Sequence, residues 1–253
     1  MKIIVIGGTG LIGSKVVKKL SDQGPQAIAA VPATGVNALT GEGLAEALTG
    51  ADVVVDLANS PAFDDKSAID FFTAAGKNIA AAEQAAGVKH HIALSVVGTE
   101  KLQDSGYFRG KYAQEELIRG SGIPYTIVHA TQFMEFLRGI GQSAIVDGTV
   151  RLPHAFIQPI SAEDVADAVT AIALAEPANR TIEIGGPQKY PMDEIVAKVL
   201  AFDGDPHPVV ADPEARYFNV KLDADSLIPG PAAKLGATSF DWWLANVPPP
   251  PKK

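Results

Sequence analysis

Cysteine is absent from this 253-residue chain, which excludes disulfides, thiolate nucleophiles and thiolate metal ligands. Long apolar runs are missing as well. No stretch approaches the ~18 residues needed to span a bilayer, and the opening Ile3-Ile-Val-Ile6 is too short for a signal-peptide core. The expectation is a cytoplasmic protein with no membrane partner. Positive charge is in deficit, the formal net charge being −8 at pH 7. No basic stripe exists to displace counterions from phosphate, so nucleic acid is not an expected partner. The histidines at 90, 91, 129, 154 and 207 show no H-x-x-x-H spacing, and no metal is expected. Internal repeats are not visible. What remains, 47% hydrophobic and 20% charged residues, suits a compact enzyme-like chain with ample core.

The most informative feature present is the opening Met1-Lys-Ile-Ile-Val-Ile-Gly-Gly-Thr-Gly-Leu-Ile-Gly13. A short β-branched run ends in glycines, and an apolar-periodic stretch follows (Leu11, Ile12, Val16, Val17, Leu20), predicting strand, tight turn, helix. Gly8, Gly10 and Gly13 fit G-x-G-x-x-G, and Gly7, Gly10 and Gly13 fit G-x-x-G-x-x-G. In such a turn glycine permits the sharp bend, close backbone approach to a pyrophosphate, and close packing of helix on strand. Amide groups at the helix start then hold negative charge. The segment Gly7, Gly8, Thr9, Gly10, Leu11, Ile12 and Gly13 is therefore the candidate dinucleotide cradle.

Strand-like and helix-like segments alternate through the first half, predicting an α/β fold with a parallel, doubly wound sheet. Further strands are expected at 27–31, 35–38, 52–57, 91–97 and 125–129, with helices at 43–48, 68–86 and 108–119. Later, a helix over 162–174 capped by Ser161, a strand at 181–184 and helices at 192–201 and 239–246 are expected. Residues 203–232 read as loop and 248–253 as a disordered tail. One Rossmann domain over 1–253 is expected, its C-terminal part (about 150–247) forming a small substrate cap.

A second constellation falls between the strands expected at 91–97 and 125–129. Ser95 lies near a strand end, and Tyr107 and Lys111 form Tyr-x-x-x-Lys, an i, i+4 pair on one helix face. A free phenol has a pKa of about 10, so a neighbouring cation is needed for proton exchange near neutrality. Two readings stand: a proton-transfer group of Ser95, Tyr107 and Lys111, or a solvated helix face with a Lys111–Glu115 pair. A second Tyr-x-x-x-Lys, Tyr217 to Lys221, has no serine-bearing strand before it.

With these two motifs the chain resembles the short-chain dehydrogenase/reductase superfamily, specifically its atypical, NmrA-like branch of NAD(P)-binding proteins. The stretches that carry the likeness are Gly7–Gly13, Leu44–Val55, Tyr107–Leu117, Ser121–Val128 and Pro159–Ala166. The resemblance implies an NAD(P)-dependent oxidoreductase moving hydride between nicotinamide and a small ketone, quinone or enone. Tyr107 would be the proton donor, Lys111 would reach the ribose hydroxyls, and Ser95 would be their partner. Asn37 would lie near adenine, Ala58 and Asn59 would face the cofactor, and Ala130, Gln132 and Phe133 would border the nicotinamide. Where relatives often have Arg-Pro, this chain has His129-Ala130. The rival reading is a redox sensor that binds dinucleotide without turning it over. A transient-cofactor epimerase or dehydratase is a third.

No carboxylate stands at the end of the second expected strand, Ala29-Ala-Val-Pro-Ala-Thr34. An NAD-type ribose contact is therefore missing there, and with Thr34 and Lys15 nearby the reading leans to NADP over NAD. Phe133, Met134, Phe136, Leu137, Phe156 and Phe218 are candidates for core or for an apolar pocket, and Arg216 and Tyr217 for a lid. His90 and His91 beside Lys89 read as solvated, and His129 as lacking a visible partner. The expected partners are a small-molecule substrate and, as an option, a second copy in a homodimer.

Overall fold

The computed structural model describes residues 1–61 and 64–247. The tail at 248–253, expected to be disordered, lies outside the described residues. Two compact units are formed, Met1–His129 with Val165–Ile182, and Ala130–Asp164 with Glu183–Lys253.

The first unit opens with β1 (Lys2–Ile6), α1 (Gly13–Asp22) and β2 (Gln26–Ala30), followed by α2 (Leu44–Leu48), β3 (Val53–Asp56) and α3 (Asp65–Ala86). Then come β4 (His90–Val96), α4 (Gly106–Gly120) and β5 (Tyr125–Ala130), whose last residue begins the second unit. The second unit contains α5 (Leu137–Ser143), β6 (Ile145–Val146), β7 (Thr149–Leu152) and β8 (Phe156–Ile157). Helix α6 (Ala162–Ala173) and strand β9 (Arg180–Gly185) carry the chain across the division, and β10 (Tyr190–Pro191), α7 (Met192–Phe202), β11 (Val209–Ala211), β12 (Lys234–Leu235) and α8 (Phe240–Asn246) complete the second unit. The main sheet has the order β12-β9-β5-β4-β3-β1-β2. It is the parallel sheet of a Rossmann-type α/β fold, with β1 paired in parallel to both β2 and β3.

The apolar runs of β1 and β3 become strands because helices cover both faces of a parallel sheet, so alternation with polar residues is not needed. Ile4, Ile6, Val54, Leu44, Leu48 and Ile79 meet in one buried cluster of strand and helix side chains. Helix α3 starts where the Asp64 carboxylate accepts from the Ser67 N–H (3.0 Å) and stops at Gly87, whose φ of 68° ends the helix. Ser161 caps α6 as expected, its hydroxyl accepting from the Asp164 N–H at 3.1 Å.

Two expectations are corrected. Residues 35–38 form no strand. Pro32–Thr34 make a 3-10 turn, closed by the Thr34 hydroxyl accepting the Val31 N–H and by Gly35 at φ 80°. Residues 203–232 are not all loop, since β11 pairs in parallel with β7.

His90 and His91 are also corrected: both are buried rather than solvated. His90 Nε2 meets the Thr126 hydroxyl at 2.9 Å, and His91 Nδ1 meets the Glu83 carboxylate at 2.6 Å. Burial and the neighbouring His91 push His90 down to about 4. Burial opposes the charge on His91 too, but the Glu83 carboxylate overcomes it and raises that pKa. A histidine held neutral in the fold stabilises it above its unfolded pKa of about 6.5, and this is lost as the unfolded chain takes up the proton below that value. His90 should therefore withdraw about 2 kcal/mol of stability between pH 7 and pH 4.5. Urea unfolding at both pH values checks this: the drop should shrink in His90→Gln, and an equal drop in both proteins would contradict it.

Candidate functional site

The glycine turn follows from contacts that leave no room for side chains. A Cβ at Gly7 would stand 2.8 Å from the Leu57 carbonyl oxygen, and one at Gly8 would stand 2.7 Å from the Ala29 Cα. At Gly13 it would stand 2.2 Å from the Gly7 oxygen. These three glycines let strand, turn and helix close on one another. Gly10 is different, because among the described residues a Cβ there would meet the Gly7 oxygen alone, at 3.3 Å. Thr9, Gly10 and Leu11 are exposed, while Ile12 is buried in the core. Helix α1 begins with no side-chain cap and no acidic residue in its first turn, so no carboxylate of that turn offsets its positive end. The cradle thus fits a diphosphate: open space at Gly10 and a helix start without a side-chain cap or a first-turn acid.

The loops at the strand ends are tied to this turn. Asp56, buried at the end of β3, accepts from the Ala58 N–H at 3.0 Å and so bends the chain behind Leu57. Asn59 accepts from the Ser60 N–H and, at 3.3 Å, from the Tyr107 hydroxyl. Tyr107 reaches this point because α3 and α4 approach closely: a Cβ at Gly110 would lie 2.9 Å from both the Ala68 oxygen and the Phe72 ring. The Tyr107 ring packs edge-on against Phe72 with centroids 5.7 Å apart. Burial raises the phenol pKa above its ordinary range.

Ser95 and Lys111 make their hydrogen bonds elsewhere. Lys111 is 3% exposed, and its ammonium donates to the Leu94 carbonyl (2.8 Å) and to Gln114 Oε1 (2.7 Å), 4.5 Å from the centre of the Phe72 ring. Gln114 passes the connection on, its Nε2 donating to Asp56 at 2.7 Å. Burial pushes Lys111 down to about 8, with Asp56 and Glu115 acting in the opposite sense. Ser95 donates to Glu115 at 2.5 Å, and the same carboxylate meets His129 Nε2 at 2.9 Å and Arg119 at 2.8 Å. This helix face is buried, so the solvated Lys111–Glu115 alternative is corrected, and so is the reading of His129 as partnerless. Asp56 and Gln114 are the residues the sequence reading missed, and Glu115 entered it only as a solvated partner of Lys111. The signal available was a carboxylate ending an otherwise apolar strand, and polar groups beside Lys111 on one helix.

Thr34 and Asn37 serve the turns they stand in. The Thr34 hydroxyl donates to the Val31 carbonyl at 2.9 Å, and Asn37 Oδ1 accepts from the Leu39 N–H at 3.0 Å. Ala130, Gln132 and Phe133 belong to the second unit. There Ala130 is buried, Phe133 stacks on Phe136 with centroids 5.2 Å apart, and Gln132 is buried with its amide unpaired. Met134 and Leu137 are core, whereas Phe136 and Phe218 are exposed and Phe156 is half-buried. Tyr217 closes a small turn with Val220, and Arg216 donates to the Asn219 carbonyl at 3.2 Å. Among the described residues no helix is long and apolar enough to cross a membrane.

Comparison with known proteins agrees with the cradle. The NAD(P)H-binding family matches residues 7–176. A (4-alkanoyl-5-oxo-2,5-dihydrofuran-3-yl)methyl phosphate reductase from Streptomyces griseus is 30% identical over 223 residues, 81% of this chain and 74% of that protein. The photosystem II assembly factor Ycf39 of Synechocystis is 26% identical over 214 residues, 78% of this chain and 66% of that protein. Among solved structures, a short-chain dehydrogenase/reductase superfamily protein from Agrobacterium tumefaciens with bound NAD superposes with a TM-score of 0.72. It is 16% identical, over 97% of this chain and 95% of that one, a likeness of fold. With its glycine cradle, its parallel sheet and a match over residues 7–176, the chain belongs to the NAD(P)H-binding family, on a fold of the short-chain dehydrogenase/reductase type.

Proposed function

We propose that the protein is an NAD(P)H-dependent reductase of a small carbonyl compound, a ketone, quinone or enone. The chemistry supplied when the coenzyme is bound is hydride donation from its nicotinamide ring. The chain's own part is to hold the diphosphate at the glycine turn and the start of α1, and to deliver a proton to the carbonyl oxygen. The observation that carries the reading is the hydrogen bond from Tyr107 to Asn59, at 3.3 Å. It sets the phenol beside the segment after β3, whose Leu57 carbonyl packs on Gly7. Lys111, Gln114 and Asp56 hold that segment and α4 in register as positioning residues, and Ser95 does the same through Glu115.

The missing carboxylate at residues 29–34 supports room for a 2′-phosphate and hence NADP. Since the Thr34 hydroxyl is committed to Val31, attraction would fall to Lys15 on α1. NADPH should therefore bind at least as tightly as NADH.

The test is to follow NADPH oxidation with a panel of ketones, quinones and enones. Tyr107→Phe should lower turnover by about 100-fold or more while changing coenzyme affinity less than twofold. A second reading, dinucleotide binding without turnover, is favoured by one observation: the Lys111 ammonium is directed inward, to the Leu94 carbonyl and Gln114. Tight NADPH binding, no oxidation with any carbonyl and no effect of Tyr107→Phe would establish that reading instead.

A further inference from the structure

The start of α4 takes its cap from another helix. Its own N-cap residue, Ser105, makes no side-chain cap bond, and no acid stands in the first turn of α4. Instead the Gly106 N–H donates at 2.8 Å to the carboxylate of Asp65, the first residue of α3. Helix starts leave such N–H groups without partners and favour negative charge beside them. The second Asp65 oxygen accepts from Arg109 at 2.9 Å, and the same guanidinium donates to the Gln103 carbonyl at 2.8 Å. One carboxylate thus ties α3 to the first turn of α4 and, through Arg109, to the segment just before it.

The approach is one that only glycine permits. A Cβ at Gly106 would stand 2.1 Å from the Asp65 Cα, and Gly110 meets Ala68 and Phe72 of α3 one turn on. Asp65 itself is fixed, because the Asp64 carboxylate beside it caps α3. Tyr107 follows Gly106 directly. Its hydroxyl meets Asn59 at 3.3 Å, where O–H···O bonds are usually about 2.5–3.0 Å, so a shift of about 0.5 Å at the start of α4 breaks the contact. Asp65 is exposed and Arg109 half-buried, and ion pairs of that kind add little stability. The carboxylate therefore decides where α4 starts rather than whether it forms.

We infer that Asp65 is the positioning residue of Tyr107: by accepting from the Gly106 N–H it holds the phenol at Asn59. Arg109 keeps the carboxylate turned to that task by occupying its other oxygen. The consequence for turnover rests on the reductase reading, whereas the placement of the phenol does not, so the two are measured separately.

The first readout is the phenol itself, by NMR on the full chain without coenzyme. With carbon-13 at Cζ of the five tyrosines, the Tyr107 resonance is the one that disappears in Tyr107→Phe. Asn59→Ala then shows where that resonance falls once the Asn59 contact is gone. Asp65→Ala should move it to the Asn59→Ala position, whereas Asp65→Asn, which keeps an acceptor for the Gly106 N–H, should leave it at the wild-type one. Alanine suits an exposed helix position, so the fold survives and the melting temperature should fall by only about 2–4 °C. The second readout is NADPH oxidation with a carbonyl substrate. There Asp65→Ala should lower kcat about tenfold and leave the carbonyl KM within about twofold, because the proton donor is misplaced rather than the substrate released. Asp65→Asn should stay within about threefold of wild type. A Tyr107 resonance unmoved in Asp65→Ala, or moved equally in Asp65→Asn, overturns the inference, and so does an unchanged kcat in Asp65→Ala. If wild type oxidises no NADPH with any carbonyl, the reductase reading fails and the resonance alone decides whether Asp65 places the phenol.

Discussion

Gly10→Ala should weaken coenzyme binding at least tenfold and leave the fold standing, whereas Gly13→Ala should abolish binding and destabilise the protein as well. The contrast comes from what each new Cβ meets. At Gly10 it meets the Gly7 oxygen at 3.3 Å, a contact relieved by a shift of a few tenths of an ångström, so stability should fall by under about 1 kcal/mol. The same methyl group, however, occupies space beside the uncapped start of α1, where a diphosphate must approach the amides. At Gly13 the Cβ stands 2.2 Å from the Gly7 oxygen and 2.7 Å from the Gly8 Cα, backbone atoms that cannot rotate away. Turn and helix must part, at a cost of about 3 kcal/mol or more. Calorimetric titration with NADPH and urea unfolding, run on both variants, measure the two effects separately. Unimpaired binding by Gly10→Ala would mean that the open side of this turn is not where phosphate sits.

Glu115→Leu should remove about 3–5 kcal/mol of stability, the largest effect expected from any side chain of the α4 network. Its buried carboxylate is shared by Ser95 on β4, His129 on β5 and Arg119 one turn along its own helix. Leucine would take this acceptor from all three, and although Arg119 keeps Glu116, the buried Ser95 and His129 lose their carboxylate partner. Burial works against the charged carboxylate, but His129, Ser95 and Arg119 outweigh it and hold the pKa below the carboxylate value of 4.5. A depressed acid stabilises the fold above its unfolded pKa and loses that contribution as pH falls through the folded one. Wild type should therefore lose this stability only below about pH 4.5, beneath the window assigned to His90. In Glu115→Leu that most acidic part of the pH dependence should be missing. Urea unfolding across the acid range checks both, and a loss under about 1 kcal/mol would show that the carboxylate is dispensable. Glu115→Gln keeps the shape and should cost less, about 1–3 kcal/mol.

How much could be read in advance depended on the distance over which each feature is decided. The cradle was legible because Ile3 to Gly13 contains its whole logic: a strand buried on both faces, a turn that excludes Cβ atoms, and a helix. Strands β3, β4 and β5 were legible for the same reason. Residues 35–38 misled because Val36 and Ala38 are buried and apolar like strand residues, yet Pro32, Thr34 and Gly35 turn the chain first. Strand β11 was invisible because three residues pair with a distant partner, leaving no period to detect. In the site, the Tyr107–Lys111 spacing was visible but the lysine's direction was not. That direction is set by Leu94, Gln114 and, through Gln114, Asp56, which lies 58 residues from the glutamine. His90 and His91 looked solvated beside Lys89 because charge next to a strand suggests an edge. They lie on β4, whose neighbours in the sheet are β5 and β3.

Every role given to these residues presupposes that a pyridine dinucleotide docks on residues 7–13. Isothermal titration of the intact chain with NADPH and, separately, NADH tests this most directly. The account predicts one saturable site in the micromolar range for at least one of them, lost in Gly13→Ala. An absence of heat with both reduced coenzymes at millimolar concentration would contradict it.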